Sequence, residues 1–213
     1  MVFTDGGAGI YASRYLEETK DDQHLRYHSL CKKDAVTVTD LQLSHDVVWV
    51  VCGCSDGSLR LLHLTTEQVD KLDAPHQLGT PIEMVRFNRF SSSVASVSAD
   101  GMISVTKTQH PRGGTSSASA LVLQAPLETN PVTCLEFSAI KPEILATGDL
   151  NGMVTIWETK MGAKQCSIAG HDGPCSGLAF SQVNVRLLSS CGLDGKVVLY
   201  DVVNHQRIKT TAG

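Results

Sequence analysis

Apolar residues along this chain recur in short runs with a period of two, and no stretch shows the 3.6-residue spacing of an amphipathic helix. "VVWVVCG", "SVASVS", "EILATG" and "RLLSSC" each run into a turn pair, and the segment beyond alternates, as in "MVTIWE". The turn pairs are Asp56-Gly57, Asp100-Gly101, Asn151-Gly152 and Asp194-Gly195, with glycines separated by 44, 51 and 43 residues. Asp-Gly and Asn-Gly pairs predict two-residue type I′ hairpins, because both central positions need positive φ. About thirteen residues before each glycine lies another apolar stretch: "VTDLQLS", "EMVRFNR", "VTCLEFS" and "SGLAFSQ". Outer strands follow each hairpin, as in "KQCSIAG" and "HQRIKTT".

Three inner strands and one outer strand every ~43 residues make the blade of a β-propeller. A generic meander or sandwich would not hold its turn pairs at nearly equal spacing. An aromatic followed by an acid on the third strand, Trp157-Glu158 and Tyr200-Asp201, is the WD-type signature. The expected fold is therefore an all-β WD-repeat propeller with four complete four-stranded blades and a partial N-terminal one. Blade bounds fall at about 1–33, 34–78, 79–127, 128–170 and 171–213, all in one domain. A weaker copy, "TDGGAGIYA", places Asp5 and Gly6 at the hairpin turn that opens the first unit. The Gly/Ser-rich "PRGGTSSAS" (111–119) accounts for the longer interval as a loop insertion. WD propellers usually have seven blades, so the chain reads as a fragment whose end faces need further blades or another chain to cover them.

In the last repeat, His171, Ser190, Asp194 and Tyr200 match the hydrogen-bonding tetrad of WD repeats, with Tyr200 where Trp is usual. Asp194 is expected to orient His171, which donates to Ser190. The three resemble a catalytic triad, but no nucleophile-elbow or oxyanion-hole context accompanies them, so they read as a structural staple. The preceding repeat keeps Thr147, Asn151 and Trp157 but lacks the histidine. Earlier repeats, with Cys52 and Leu62 at polar positions, are expected to rely on apolar packing. Repeat alignment places Thr39, Glu83, Thr133 and Ser176 near the mouth of the central channel. One carboxylate among hydroxyls is poor catalytic equipment and suits hydrogen bonding to a peptide better; as polar rim residues they are also simply solvated.

A formal charge of −4 and 19% charged residues give no basic face for nucleic acid or an anionic membrane, and Lys32-Lys33 is the only adjacent basic pair. The seven cysteines (31, 52, 54, 134, 166, 175, 191) sit mostly in apolar stretches and read as reduced core thiols. Cys52 and Cys54 lack the second pair of a zinc site, and "TDGGAGI" lacks the Lys-Ser/Thr of a phosphate loop. No catalytic, metal or cofactor site is expected. The N-terminus matches neither a signal peptide nor a membrane span, which points to the cytosol or nucleus.

From about residue 80 onward, "RFSSSVASVSADG", "NGMVTIWE", "HDGPCSGLAFSQVN" and "GLDGKVVLYDVVNHQRIKT" resemble the NEDD-type WD-repeat family, the targeting factors of the γ-tubulin ring complex. The resemblance is weaker before that point, where "LLHLTT" is similar to an outer-strand region. It implies a protein-binding scaffold at centrosomes, spindle poles or basal bodies, with the ring complex or other centrosomal and spindle proteins as partners. In that family a helical C-terminal segment binds the ring complex; no such segment is expected within these 213 residues, so the resemblance does not assign γ-tubulin binding itself to them. Two alternatives stay open from sequence: a WD adaptor recruiting substrates for ubiquitin ligation or ciliary transport, and, with little to support it, a propeller enzyme.

Overall fold

Strands covered on both faces need apolar or small residues at consecutive positions, and the second strand of each repeat has them. A computed structural model describes residues 2–4, 9–13, 25–29, 36–108, 120–124 and 130–211. Among the described residues there are four four-stranded antiparallel sheets, and each follows chain order. The first contains β4 (Val38–Leu43), β5 (Trp49–Cys54), β6 (Leu59–His63) and β7 (Val69–Leu72). The second contains β8 (Ile82–Phe87), β9 (Ser93–Ser98), β10 (Ile103–Lys107) and β11 (Ala120–Gln124). The third contains β12 (Val132–Phe137), β13 (Ile144–Asp149), β14 (Met153–Glu158) and β15 (Ala163–Ala169). The fourth contains β16 (Cys175–Phe180), β17 (Leu187–Gly192), β18 (Val197–Asp201) and β19 (Gln206–Thr211).

Ahead of them, β1 (Val2–Thr4), β2 (Gly9–Ser13) and β3 (Leu25–Ser29) form a three-stranded sheet in that order. Sequence reading opened this unit at its turn; Val2–Thr4 supply the strand before it, so the unit has one more strand than expected. The Asp5–Gly6 turn, the 111–119 insertion, Cys31 and Lys32-Lys33 lie outside the described residues.

First strands of successive blades are neighbours, β4 beside β8, β8 beside β12 and β12 beside β16. The three larger apolar clusters therefore lie between blades. Trp49, Val51, Leu59 and Leu61 of the first blade pack on Ile82, Val85, Phe87 and Val94 of the second. Ala95, Val97, Ile103 and Val105 of the second pack on Leu135, Phe137, Leu145 and Trp157 of the third. Ala146, Val154 and Ile156 then meet Phe180, Leu188, Val198 and Tyr200 of the fourth. Successive residues such as Leu145 and Ala146 serve opposite junctions, because alternate side chains leave a strand on opposite faces.

The hairpin turns differ from the expected type. Only the glycine takes positive φ, at 80° for Gly57, 84° for Gly101 and 75° for both Gly152 and Gly195. The Gly57 amide donates to Cys54 and the Cys54 amide to Ser58, closing a three-residue loop; Gly101 and Gly195 sit in the same pattern. This is a type I turn followed by a left-handed residue, not the two-residue type I′ form. The additional residue has a role: the amides of Ser55, Ala99, Leu150 and Leu193 donate to Thr37, Pro81, Pro131 and Pro174, joining each turn to the entry of its blade's first strand.

Candidate functional site

In the fourth blade the tetrad assembles. His171 comes from the connection before β16, Ser190 from β17, Asp194 from the turn and Tyr200 from β18. His171 Nδ1 lies 2.9 Å from Asp194 Oδ1 and Nε2 lies 2.7 Å from Ser190 Oγ, which is 2.8 Å from the Tyr200 hydroxyl. A carboxylate can only accept, so Nδ1 carries the proton, and in the neutral ring Nε2 accepts from Ser190. That reverses the donor expected for this bond. Ser190 then accepts from Tyr200, so both His171 nitrogens, the serine hydroxyl and the tyrosine hydroxyl all have partners.

Burial alone would raise the Asp194 carboxyl, but the Asp172 and Lys196 amides and His171 hold it at about 2. Two glycines make room for the chain: a side chain at Gly192 would lie 2.5 Å from His171 Nδ1, and one at Gly170 would strike the Tyr200 hydroxyl. Ser190 and His171 are buried, and the amides of Gly170 and His171 both donate to Gly152 of the third blade. The arrangement joins blades and offers no exposed nucleophile.

In the third blade Trp157 Nε1 donates to Thr147 Oγ1 at 2.9 Å. Asn151 stands apart from that bond, exposed at the turn, its amide donating to Asp149. In the first blade Cys52 and Leu62 are fully buried with Val38 and Val50, as expected of a blade held by apolar packing. The second blade overturns that expectation. His76 Nδ1 lies 2.9 Å from Ser98 Oγ, and Nε2 lies 2.7 Å from Ser96 Oγ and 3.0 Å from Ser104 Oγ. Ser98 donates to Asp100 at 2.6 Å, so it accepts from His76 Nδ1, and the network extends Asp100–Ser98–His76–Ser96–Ser104. Burial lowers the His76 imidazole to about 4, with Asp100 opposing the shift. The signal was present: His76 precedes its turn glycine by 25 residues and His171 by 24. Two additional residues before the first strand, in "HQLGTP", obscured the match.

Thr39, Glu83, Thr133 and Ser176 occupy one structural position. Each first strand shifts register at that residue, between Val38 and Asp40, Ile82 and Met84, Val132 and Cys134, and Cys175 and Gly177. Each is thus the unpaired residue of a β-bulge at the end of the blade that carries the turns. Three hydroxyls use their protons internally. Thr39 donates to Ile82 O of the next blade, Thr133 to Cys175 O of the next blade and also to Gly148 O, and Ser176 to Cys191 O within its own blade. Glu83 stands exposed between them.

Sequence reading missed the apolar residues of this rim. Leu150 and Leu193, at equivalent turn positions on adjacent blades, are 48% and 74% exposed, and Leu78 beside the first blade's turn is 75% exposed. A leucine immediately before the Asn or Asp of the turn was the available sign. At the opposite end, a polar recess of about 290 Å³ is lined by Gln42, Arg86, Glu136 and Gln182, with Arg86 paired to Asp40 at 2.8 Å.

Comparison with known proteins agrees with this geometry. The family described as "WD domain, G-beta repeat" matches residues 23–62 and 162–201. Protein NEDD1 of Homo sapiens is 27% identical over 178 residues, 81% of this chain and 25% of that protein. Protein NEDD1 of Mus musculus is 31% identical over 81 residues, 38% of this chain and 12% of that protein. The chain thus spans at most a quarter of the length of these two relatives. A chain in the crystal structure of the mitotic checkpoint complex superposes with a TM-score of 0.74 at 15% identity, covering 96% of this chain and 58% of that one, a likeness of fold. The chain carries WD repeats, folds as β-propeller blades and is similar to Protein NEDD1 over most of its length.

Proposed function

We propose that this chain is a non-catalytic protein-interaction scaffold that helps localise the γ-tubulin ring complex, and with it microtubule nucleation, at the centrosome, spindle pole or basal body. The observation that carries this reading is the alignment with human NEDD1 over 81% of the chain. The rim supports the scaffold part. Leu150 and Leu193 offer apolar anchors on adjacent blades, Glu83 offers a charge, and the bulge hydroxyls keep lone pairs for a partner's amides. A propeller holds such groups on a rigid frame, so binding costs little ordering. The partner segment this rim suits is extended or helical, with apolar side chains and a basic group for Glu83.

The test is the tagged protein imaged through mitosis in dividing cells. Focal signal at the poles coincident with γ-tubulin is expected. Diffuse cytosolic signal throughout mitosis overturns the proposal.

A further inference from the structure

The bulge register aligns the first strands residue by residue and isolates one unusual junction. The residues flanking the bulge are Val38 and Asp40, Ile82 and Met84, Val132 and Cys134, and Cys175 and Gly177. Where the third and fourth blades meet, thiols face each other: Cys134 Sγ lies 3.6 Å from Cys175 Sγ. The equivalent residues at the first two junctions are Asp40 and Ile82, and Met84 and Val132, none of them a thiol. Gly148, the register partner of Cys134, creates the space. A Cβ there would lie 2.7 Å from Cys134 Sγ and 2.6 Å from Cys175 Sγ.

The two thiols have different environments. Cys134 is half-buried and Cys175 fully buried, and both are free. Contact with Cys175 holds the Cys134 thiol below its usual range, against the opposing effect of burial, while Cys175 is pushed up by the same contact and by burial. Cys134 is therefore the group that ionises and can be reached, and Cys175 is the group poised behind it. Cys191, on β17, is exposed, with its sulfur 3.4 Å from Ser176 Oγ.

We propose that Cys134 and Cys175 form an oxidation site that takes a hydroperoxide and closes to a disulfide linking the third blade to the fourth. The Cys134 thiolate attacks the peroxide oxygen, the O–O bond breaks, and hydroxide leaves and takes up the thiol's proton as water, giving a sulfenic acid. The Cys175 sulfur then attacks the Cys134 sulfur; its proton and the departing hydroxyl leave as a second water. Two thiols lose two electrons and two protons, and one hydrogen peroxide becomes two waters. Closure brings the sulfurs from 3.6 Å to about 2.05 Å, a movement of side-chain scale. The bond would fasten the junction beside Thr133 and Ser176, and thiol reductants would reopen it.

The test treats the folded protein with hydrogen peroxide, blocks remaining thiols with iodoacetamide and maps unreduced peptides by mass spectrometry. Cys166 shares a tryptic peptide with Cys175, so fragmentation must separate them. Expected is a dose-dependent cross-link between Cys134 and Cys175, two hydrogens lighter than the separate peptides and cleaved by dithiothreitol. Cys191→Ser should retain it, and Cys175→Ser should leave a Cys134 sulfenic acid that dimedone traps. If Cys175→Ser does not fold, the wild-type map decides alone. A bridge through Cys191 or Cys166, terminal oxidation of Cys134 without a bridge, or both thiols still alkylated after peroxide overturns the proposal.

Discussion

A buried imidazole needs a partner for each nitrogen, and the two buried histidines meet that demand differently. His171 uses a carboxylate and a serine, with the tyrosine one step removed, whereas His76 uses three serines with the carboxylate one step removed. Replacing Ser190 with Ala leaves His171 Nε2 and the Tyr200 hydroxyl each without that partner, and is expected to lower stability by about 1–3 kcal/mol in denaturant titration. Lys209→Ala, at an exposed position on β19, serves as the control with little change. The pH dependence separates the two networks. His76 stays neutral in the folded chain down to about 4, whereas in the unfolded chain it protonates near 6.5. Between those values only the unfolded state gains the proton, so its contribution is complete above 6.5 and is lost as pH falls, on the order of 3 kcal/mol in all. Asp194, held at about 2 against an ordinary 3.8, loses its contribution only below that window. Melting temperatures measured from neutral pH down to about 4 should fall for the wild type and fall less for His76→Gln.

At the scale of the element, one hairpin solution recurs with different tolerances. Gly195 and Gly152 share a φ of 75°, but a side chain at Gly195 meets open space while one at Gly152 collides with the carbonyls of His171 and Gly173. Gly195→Ala should thus cost about 1–2 kcal/mol, the conformational penalty alone, and Gly152→Ala clearly more, because backbone of the next blade must move. Equal losses in chemical unfolding would contradict this account. The same hairpins show what sequence makes legible. The Asp-Gly and Asn-Gly spacing located four blades, because a glycine takes the positive φ of the turn in each of them. It did not reveal the three-residue loop, since that depends on an amide at Ser55, Ala99, Leu150 or Leu193 reaching a carbonyl nearly twenty residues earlier in the chain. The signature acids were legible as a pattern but not in purpose: Asp201 accepts from Arg186 and from the Val203 and Asn204 amides, capping the turn into β19. The four rim residues were found by alignment alone. That three of them spend their protons on carbonyls became visible only when the bulges and neighbouring blades were in place.

At the scale of the whole molecule, some leucines close the junctions between blades and others stand on the rim. Leu145 and Leu188 are fully buried at junctions, whereas Leu150 and Leu193 stand in the turns a few residues away. Nothing in the packing of the blades requires a leucine at either turn; the equivalent positions in the first two blades are Ser55 and Ala99. A rim that binds a partner through apolar anchors accounts for them, because anchors of this kind carry a large share of interface energy. The double variant Leu150→Asp with Leu193→Asp should therefore keep the melting temperature of the wild type, since neither side chain contributes to a junction. It should also reduce recovery of bound proteins in affinity purification, by roughly 30-fold or more if each anchor is worth at least about 1 kcal/mol. Glu83→Lys should weaken the same interaction more at low than at high salt, as expected of an exposed charge. Unchanged recovery in the double variant would remove the turn leucines from the interface, and a lowered melting temperature would return them to the fold.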